Sequence, residues 1–203
     1  MTEKDAEGRC QELKRRLLEL DGISIELVSS QIRKIGFRCL HCGECCCGDD
    51  CSVVVFPFEV RRIMAITGEG WLETVEPPSE GEWDREGCFH TLEWRLRRMN
   101  GGCRFYAEKR CSIYEARPLL CRTYPFYLED GSIRCSDCRG LGLETDPAMA
   151  LQIASTLKER CRIEILEAMA LLERYRDFER GQPGARGNCI VHDSEGEHRV
   201  SLH

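Results

Sequence analysis

Between Cys39 and Cys51 the chain reads C-L-H-C-G-E-C-C-C-G-D-D-C, six thiols in thirteen residues. A buried cysteine behaves as a small hydrophobe and is used singly, so packing would scatter these residues along apolar faces. Crowded into one Gly- and Asp-bearing loop, they must serve chemistry. The spacing of Cys39, Cys42 and Cys45 lets a turn of backbone present three sulfurs to one iron or zinc site. Cys46 follows directly. Neighbouring side chains diverge, so Cys45 and Cys46 are expected to face two metal centres side by side.

A chain of 203 residues fits one domain, or one domain with an appendage, and can bury a core without covalent staples. No apolar signal-peptide core opens it, and no run of about 18 apolar residues could cross a bilayer, so a cytoplasmic protein with no membrane role is expected. In that reducing compartment the fifteen cysteines, an odd number, do not read as a disulfide framework. The net charge of -6 is local: Glu69, Glu73, Glu76, Glu80, Glu82, Asp84 and Glu86 stand against Arg85 alone. A short positive stretch from Arg95 to Arg110 follows, too small a footprint for a phosphate backbone, and no nucleic-acid partner is expected.

Residues 1–36 read as an N-terminal helical segment, with one helix over Gln11 to Leu20 and a second over Ile23 to Ile35 ending at Gly36. A cysteine-cluster domain is expected over 37–142. Within it Ser52 to Phe56 reads as a strand and Pro57 as the start of a helix ending at Gly68. Glu76 to Gly87 reads as a solvated loop. Leu92, Trp94 and Leu96 alternate like a half-buried strand, and Asn100-Gly101-Gly102 turns into Cys103, which a hairpin would set beside the cysteine loop. Asp130-Gly131 marks a second hairpin that delivers Cys135 and Cys138. A long helix over 143–181, capped by Asp146 before Pro147, packs on this domain. Residues 182–203 form a tail with a closing hairpin around Ser194-Glu195-Gly196. The fold class expected is α+β: small cysteine-rich hairpins with helices gathered around them.

Downstream lie Gly102-Cys103, then Cys111-Ser-Ile-Tyr-Glu-Ala-Arg-Pro-Leu-Leu-Cys121-Arg-Thr-Tyr-Pro, then Cys135-Ser-Asp-Cys138-Arg-Gly-Leu-Gly. C-x2-C-x2-C-C followed by these segments resembles the zinc- or iron-chelating CxxCxxCC family, also called YkgJ-type cysteine-cluster proteins, over about Phe37 to Gly142. The resemblance implies metal ligation by Cys39, Cys42, Cys45, Cys46, Cys103, Cys111, Cys121 and Cys138. Cys47, Cys51 and Cys135 depart from the pattern, so either Cys135 or Cys138 is the last ligand. Eight thiolates make two sets of four, enough for two [4Fe-4S] clusters or two zinc ions. The dense run is closer to iron-sulfur ligation, with zinc the alternative. The resemblance also reaches flagellin lysine methylases.

Arg117 and Arg122 flank Cys121, where a guanidinium could hydrogen-bond sulfur or merely bind backbone and surface acids. Pro118 keeps Arg117 out of helical geometry and bends the segment. Cys161 lies on the apolar stripe of the long helix and reads as core. Cys10, Cys88 and Cys189 are isolated. His41 is expected to turn away from the metal, and His90, His192, His198 and His203 have no partner spacing. The radical adenosylmethionine signature C-x3-C-x2-C is not met, and no phosphate loop, G-x-S-x-G or H-E-x-x-H occurs. Two functions follow: an iron-sulfur protein passing electrons or supporting group transfer with an unidentified redox or protein partner, or a zinc-stapled protein-interaction module.

Overall fold

The computed structural model describes residues 3–48, 51–175, 178–184 and 188–201. The fold is α+β. In chain order the helices are α1 (Glu3–Asp21), α2 (Ile25–Ile35), α3 (Pro57–Thr67), α4 (Trp71–Thr74), α5 (Leu119–Thr123) and α6 (Pro147–Tyr175). The strands are short: β1 (Val54–Val55), β2 (Val75–Glu76), β3 (Glu82–Trp83), β4 (Phe89–Leu92), β5 (Trp94–Leu96), β6 (Arg98–Met99), β7 (Gly102–Cys103), β8 (Tyr106–Ala107), β9 (Arg110–Cys111), β10 (Phe126–Glu129), β11 (Ser132–Cys135), β12 (Asn188–Asp193) and β13 (Gly196–Ser201). The chain divides into two compact units, one of Met1–Lys14, Val54–Arg97 and Ile165–His203, the other of Arg15–Val53 and Arg98–Glu164.

The second unit contains the cysteine loop. Its core sets Val28 and Ile32 of α2 with Ala150, Ile153, Ala154 and Leu157 of α6, closed by Phe37 and Phe126. Those two rings meet edge to face, 5.5 Å between centroids at 86°. Each helix is ended by the chemistry its sequence supplies. Ser24 Oγ accepts the Leu27 N–H at 3.1 Å to start α2, and Gly36, at φ 78°, leaves it. Asp146 Oδ1 accepts the Met149 N–H at 3.0 Å to start α6. Lys158 Nζ donates to the Asp21 and Ile23 carbonyls at 3.0 and 2.7 Å, satisfying oxygens exposed where α1 stops. The helix expected over 143–181 is shorter at both ends: residues 143–146 precede it, and residues 178–181 are not helical, Arg180 bridging to Asp84; residues 176 and 177, like His203, lie outside the described residues.

Three antiparallel hairpins complete this unit: β6–β7, β8–β9 and β10–β11. Asp130 and Gly131 take φ 47° and 72°, the left-handed pair that a two-residue turn needs. Glu108 and Lys109 do the same at 49° and 59° without any turn-forming residue, so the β8–β9 hairpin had no signal in the sequence.

The first unit holds a three-stranded sheet, β1-β5-β2, and a four-stranded sheet, β13-β12-β4-β3. Pro57 opens α3, Glu59 accepts the Phe56 N–H at 3.0 Å, and Gly68 at φ 73° closes it. Trp94 and Leu96 point inward at 1% and 3% exposure, but Leu92 does not join them. Glu93 takes φ 62° and breaks the strand, turning Leu92 outward at 40%. The acidic stretch is not simply a solvated loop. Val75 is fully buried opposite Leu96, and Trp83 packs on Phe89 at 5.3 Å. The tail hairpin forms as expected, and β12 also pairs in parallel with β4, so residues 188–201 build the sheet rather than trail from it.

Polar groups are buried here in connected sets. Asp193, 1% exposed, accepts the Glu195 and Gly196 amides and the Trp94 indole N–H at 2.9, 3.1 and 2.9 Å. His90 Nε2 lies 2.8 Å from Asp84 Oδ2, and His90 Nδ1 lies 2.7 Å from His192 Nε2. Two ring nitrogens this close must share one proton, so this contact is lost if both carry their own. Burial first, then the charge of His90, holds the His192 pKa below its ordinary value. The unfolded chain therefore takes a proton near pH 6.5 that the folded chain refuses, and stability present above that pH is lost below it. Melting at about pH 7.5 and about pH 5.5 is expected to show a drop of several degrees that His192→Gln narrows; an equal drop in both chains rejects this role.

Candidate metal centre

The cysteine loop is held at both ends by backbone. At its entry, the Phe37 N–H donates to Thr145 Oγ1 at 2.6 Å and the Thr145 hydroxyl donates back to the Phe37 carbonyl at 3.0 Å. Arg38 N–H then bonds the Gly140 carbonyl at 3.0 Å, and Gly142 N–H bonds that of Gly36 at 3.0 Å. A Cβ on Gly140 would stand 2.3 Å from the Arg38 carbonyl oxygen, so only glycine permits this approach. The Arg-Gly-Leu-Gly segment thereby brings Cys138 to the Cys39 end. At its exit, Gly48 N–H bonds the Gly101 carbonyl at 3.0 Å, Arg98 Nη2 donates to the Gly48 carbonyl at 2.6 Å, and Cys47 bridges to Gly102. That brings Cys103 to the Cys46 end.

The middle of the loop rests on the β8–β9 hairpin. Gly43, at φ 78°, leaves room for Tyr106, whose hydroxyl donates to the Cys42 carbonyl at 3.3 Å. Tyr106 is paired across the hairpin with Cys111. Cys121 is carried by α5, where Thr123 bonds the Leu119 carbonyl at 2.9 Å and accepts from Arg160 at 2.9 Å.

Among the cysteines remote from the loop, Cys138 accepts a backbone hydrogen bond from the Gly140 N–H at 3.4 Å. Burial raises Cys103 and Cys111, and nearby backbone amides, of Phe105 and Tyr106 at the first and of Ile113 at the second, offset part of that rise. A backbone N–H donated to sulfur favours the thiolate and fixes the direction of its remaining lone pairs.

The thiols feel one another's charge, and Cys45 acts on Cys138 as well as on Cys111 and Cys121. Burial first, then the charges of Cys42, Cys45 and Cys39, raise the Cys138 pKa. Burial and then Cys111 and Cys51 push Cys103 up to about 11, and burial with Cys103, Cys45 and Cys111 raises Cys121 well above its ordinary value. Cys46 is raised by its hydrogen bond to Cys45, then by burial, with Cys103 and Cys121 adding to it. That same hydrogen bond is the main reason Cys45 falls to about 7, and Arg117 lowers it further. Cys45 and Cys46 thus share a proton as a pair.

Cys45 and Cys46 do not diverge as expected. They sit in a 3-10 turn, Glu44–Cys46, with sulfurs 3.9 Å apart. Two thiolates on one tetrahedral ion with bonds of about 2.3 Å are about 3.8 Å apart, so sharing is geometrically open to them. Cys135 ends β11 opposite Phe126 and is exposed. Cys51 lies within charge reach of Cys103, and Cys47 is exposed. Cys161 packs against the core cluster, as expected. His41, at φ 53°, lays its ring against Tyr114 at 5.3 Å.

All fifteen cysteines are free thiols, and among the described residues no three His, Cys, Asp or Glu side chains are closed to coordination distance. The donor chemistry nonetheless fits a thiophilic metal. Burial and mutual repulsion hold Cys46, Cys103, Cys121 and Cys138 above the ordinary thiol range, and the amide donated to Cys138 favours the anion a cation would stabilise. Gly140→Ala, with its Cβ against backbone, is expected to lower metal per chain and melting temperature together, whereas Gly22→Ala, which meets nothing closer than 3.4 Å, leaves both unchanged. Elemental analysis and thermal melts check this; full metal content in Gly140→Ala would show that the entry clamp is dispensable.

No helix among the described residues is long and apolar enough to cross a membrane. No curated protein and no solved structure matches the chain. One family model does, that of the CxxCxxCC family, described as a "Putative zinc- or iron-chelating domain", over residues 38–162. The match runs past Gly142 into α6. It spans more than half of the 203 residues, and the chain belongs to the CxxCxxCC family.

Proposed function

We propose that this protein binds iron-sulfur through two sets of cysteine thiolates and uses it in electron transfer or metal-dependent group transfer. Cys39, Cys42 and Cys138 belong to one set and Cys103, Cys111 and Cys121 to the other, with Cys45 and Cys46, 3.9 Å apart, at their junction and each completing one set. The single observation that supports this reading is the pair of backbone clamps that holds the cysteine loop against the Cys138-bearing segment at one end and the Cys103-bearing segment at the other. Cys138 rather than Cys135 is the last ligand, because the Arg38–Gly140 and Gly142–Gly36 backbone bonds hold the Cys138 segment at the Cys39 end of the loop. Bound clusters would supply one-electron chemistry, with potentials tuned by hydrogen bonds to sulfur. The setting is the cytoplasm, with a protein or redox partner. Methyl transfer, suggested by the resemblance to flagellin lysine methylases, is the runner-up among reactions.

A second reading has its own support: both sets are all-cysteine, which suits structural zinc equally well. The protein would then be a stapled interaction module.

Anaerobically purified protein is expected to be brown, absorbing near about 400 nm, with iron and sulfide in stoichiometric amounts. Colourless protein with about two zinc ions selects the second reading, and protein without thiolate-bound metal rejects both. Cys45→Ser and Cys46→Ser are expected to remove different halves of the metal; identical total loss replaces two centres with one polynuclear site. Cys138→Ser is expected to lose about half the metal while Cys135→Ser keeps it, and the reverse result exchanges their roles.

A further inference from the structure

Tyr124 stands between two ligand-bearing turns. It directly follows α5, and its N–H bonds the Leu120 carbonyl at 3.1 Å, so its backbone is fixed to the short helix that carries Cys121. That helix is itself anchored: Thr123, fully buried, donates to the Leu119 carbonyl at 2.9 Å and accepts from Arg160 of α6 at 2.9 Å. At the far end of the side chain, the Tyr124 hydroxyl donates to the Asp137 carbonyl, the oxygen of the peptide group whose nitrogen belongs to Cys138. The next carbonyl along, that of Pro125, accepts the Ser136 N–H at 2.9 Å. Residues 135–137 are exposed, and beyond Cys138 Arg139 pairs with Glu44 at 2.6 Å through side chains so open to water that the pair contributes little. The turn before Cys138 is therefore held to the fold by the Tyr124-Pro125 step.

We propose that Tyr124 is a positioning residue for the metal centre, a phenol strut that rises from the Cys121 helix and sets the Cys138 thiolate at the Cys39 end of the loop. The inference rests on the thiolate-metal reading above and names what aims its last ligand. A ligand turn free to sample several conformations must be ordered when the ion arrives, and that ordering is subtracted from affinity. A hydroxyl that grips the Asp137 carbonyl restricts the peptide immediately before the Cys138 Cα, so the fold does the ordering in advance. Phenylalanine keeps the ring and loses that bond. Because the strut begins beside one thiolate set and ends on the other, removing its hydroxyl alone disturbs the set that contains Cys138 and spares the set that contains Cys121.

The test is anaerobic titration of the metal-free full-length chain with Co2+, followed by its sulfur-to-cobalt absorption and by competition with a chelator. Tyr124→Phe is expected to weaken one equivalent of Co2+ about tenfold, the lower end of the range for groups that orient a ligand, and to leave the other within about twofold. In a Cys138→Ser chain, which keeps the equivalent held by the other set, adding Tyr124→Phe is expected to change nothing further, because the ligand through which it acts is gone. A merely structural role would lower the melting of the metal-free chain, read by circular dichroism, and weaken the remaining equivalent in Cys138→Ser as well. Unchanged affinity in Tyr124→Phe, or equal weakening of both equivalents, overturns the proposal and leaves the metal reading intact. Loss of both equivalents in Cys138→Ser overturns the division into two sets and the proposal with it. Absence of sulfur-bound Co2+ in wild type overturns the metal reading itself.

Discussion

Thiols that repel as anions and resist ionisation when buried do not gather by themselves. Their assembly depends on backbone hydrogen bonds that hold the loop's ends irrespective of any metal. Phe37 and Arg38 are bound to Gly140 and Thr145 on one side, and Gly48 to Gly101 on the other. These bonds cost no thiol its proton. They let helix packing at α2 and α6 supply the free energy of bringing sulfurs from distant segments near one another, so that little of that work falls on metal binding.

The glycines of the cysteine segments are part of this constraint. Gly43 admits Tyr106 beneath the loop, Gly102 passes 3.0 Å from the Cys46 carbonyl oxygen at its Cβ position, and Gly140 touches Arg38. A side chain at any of the three would push apart two ligand-bearing segments.

Much of this was legible in the residues. The cysteine spacing identified the family; Ser24, Gly36, Pro57, Gly68 and Asp146 marked helix ends; Asp130-Gly131 gave its hairpin. The failures have physical causes. Neighbouring side chains are expected to diverge at Cys45 and Cys46, whereas the 3-10 turn there rotates neighbours by about 120° and leaves the two sulfurs 3.9 Å apart. Leu92 was assigned to an inward row that Glu93 interrupts with a left-handed backbone. His90 and His192, 102 positions apart, meet through parallel pairing that no local pattern encodes. The long-range register of β4 with β12 exists only in three dimensions.

That register carries a consequence for biogenesis. Phe89 aligns with Cys189, so on the ribosome β4 is made long before the strand that flanks it, and β3 covers only its other edge. During that interval a row of unpaired amides and carbonyls, together with half of a histidine couple, waits for polypeptide still to be synthesised. Loop closure over such a span is entropically modest but kinetically slow. The segments carrying Cys39 to Cys138, by contrast, are made well before this sheet closes, and they can mature on a nascent chain that still lacks β12 and β13.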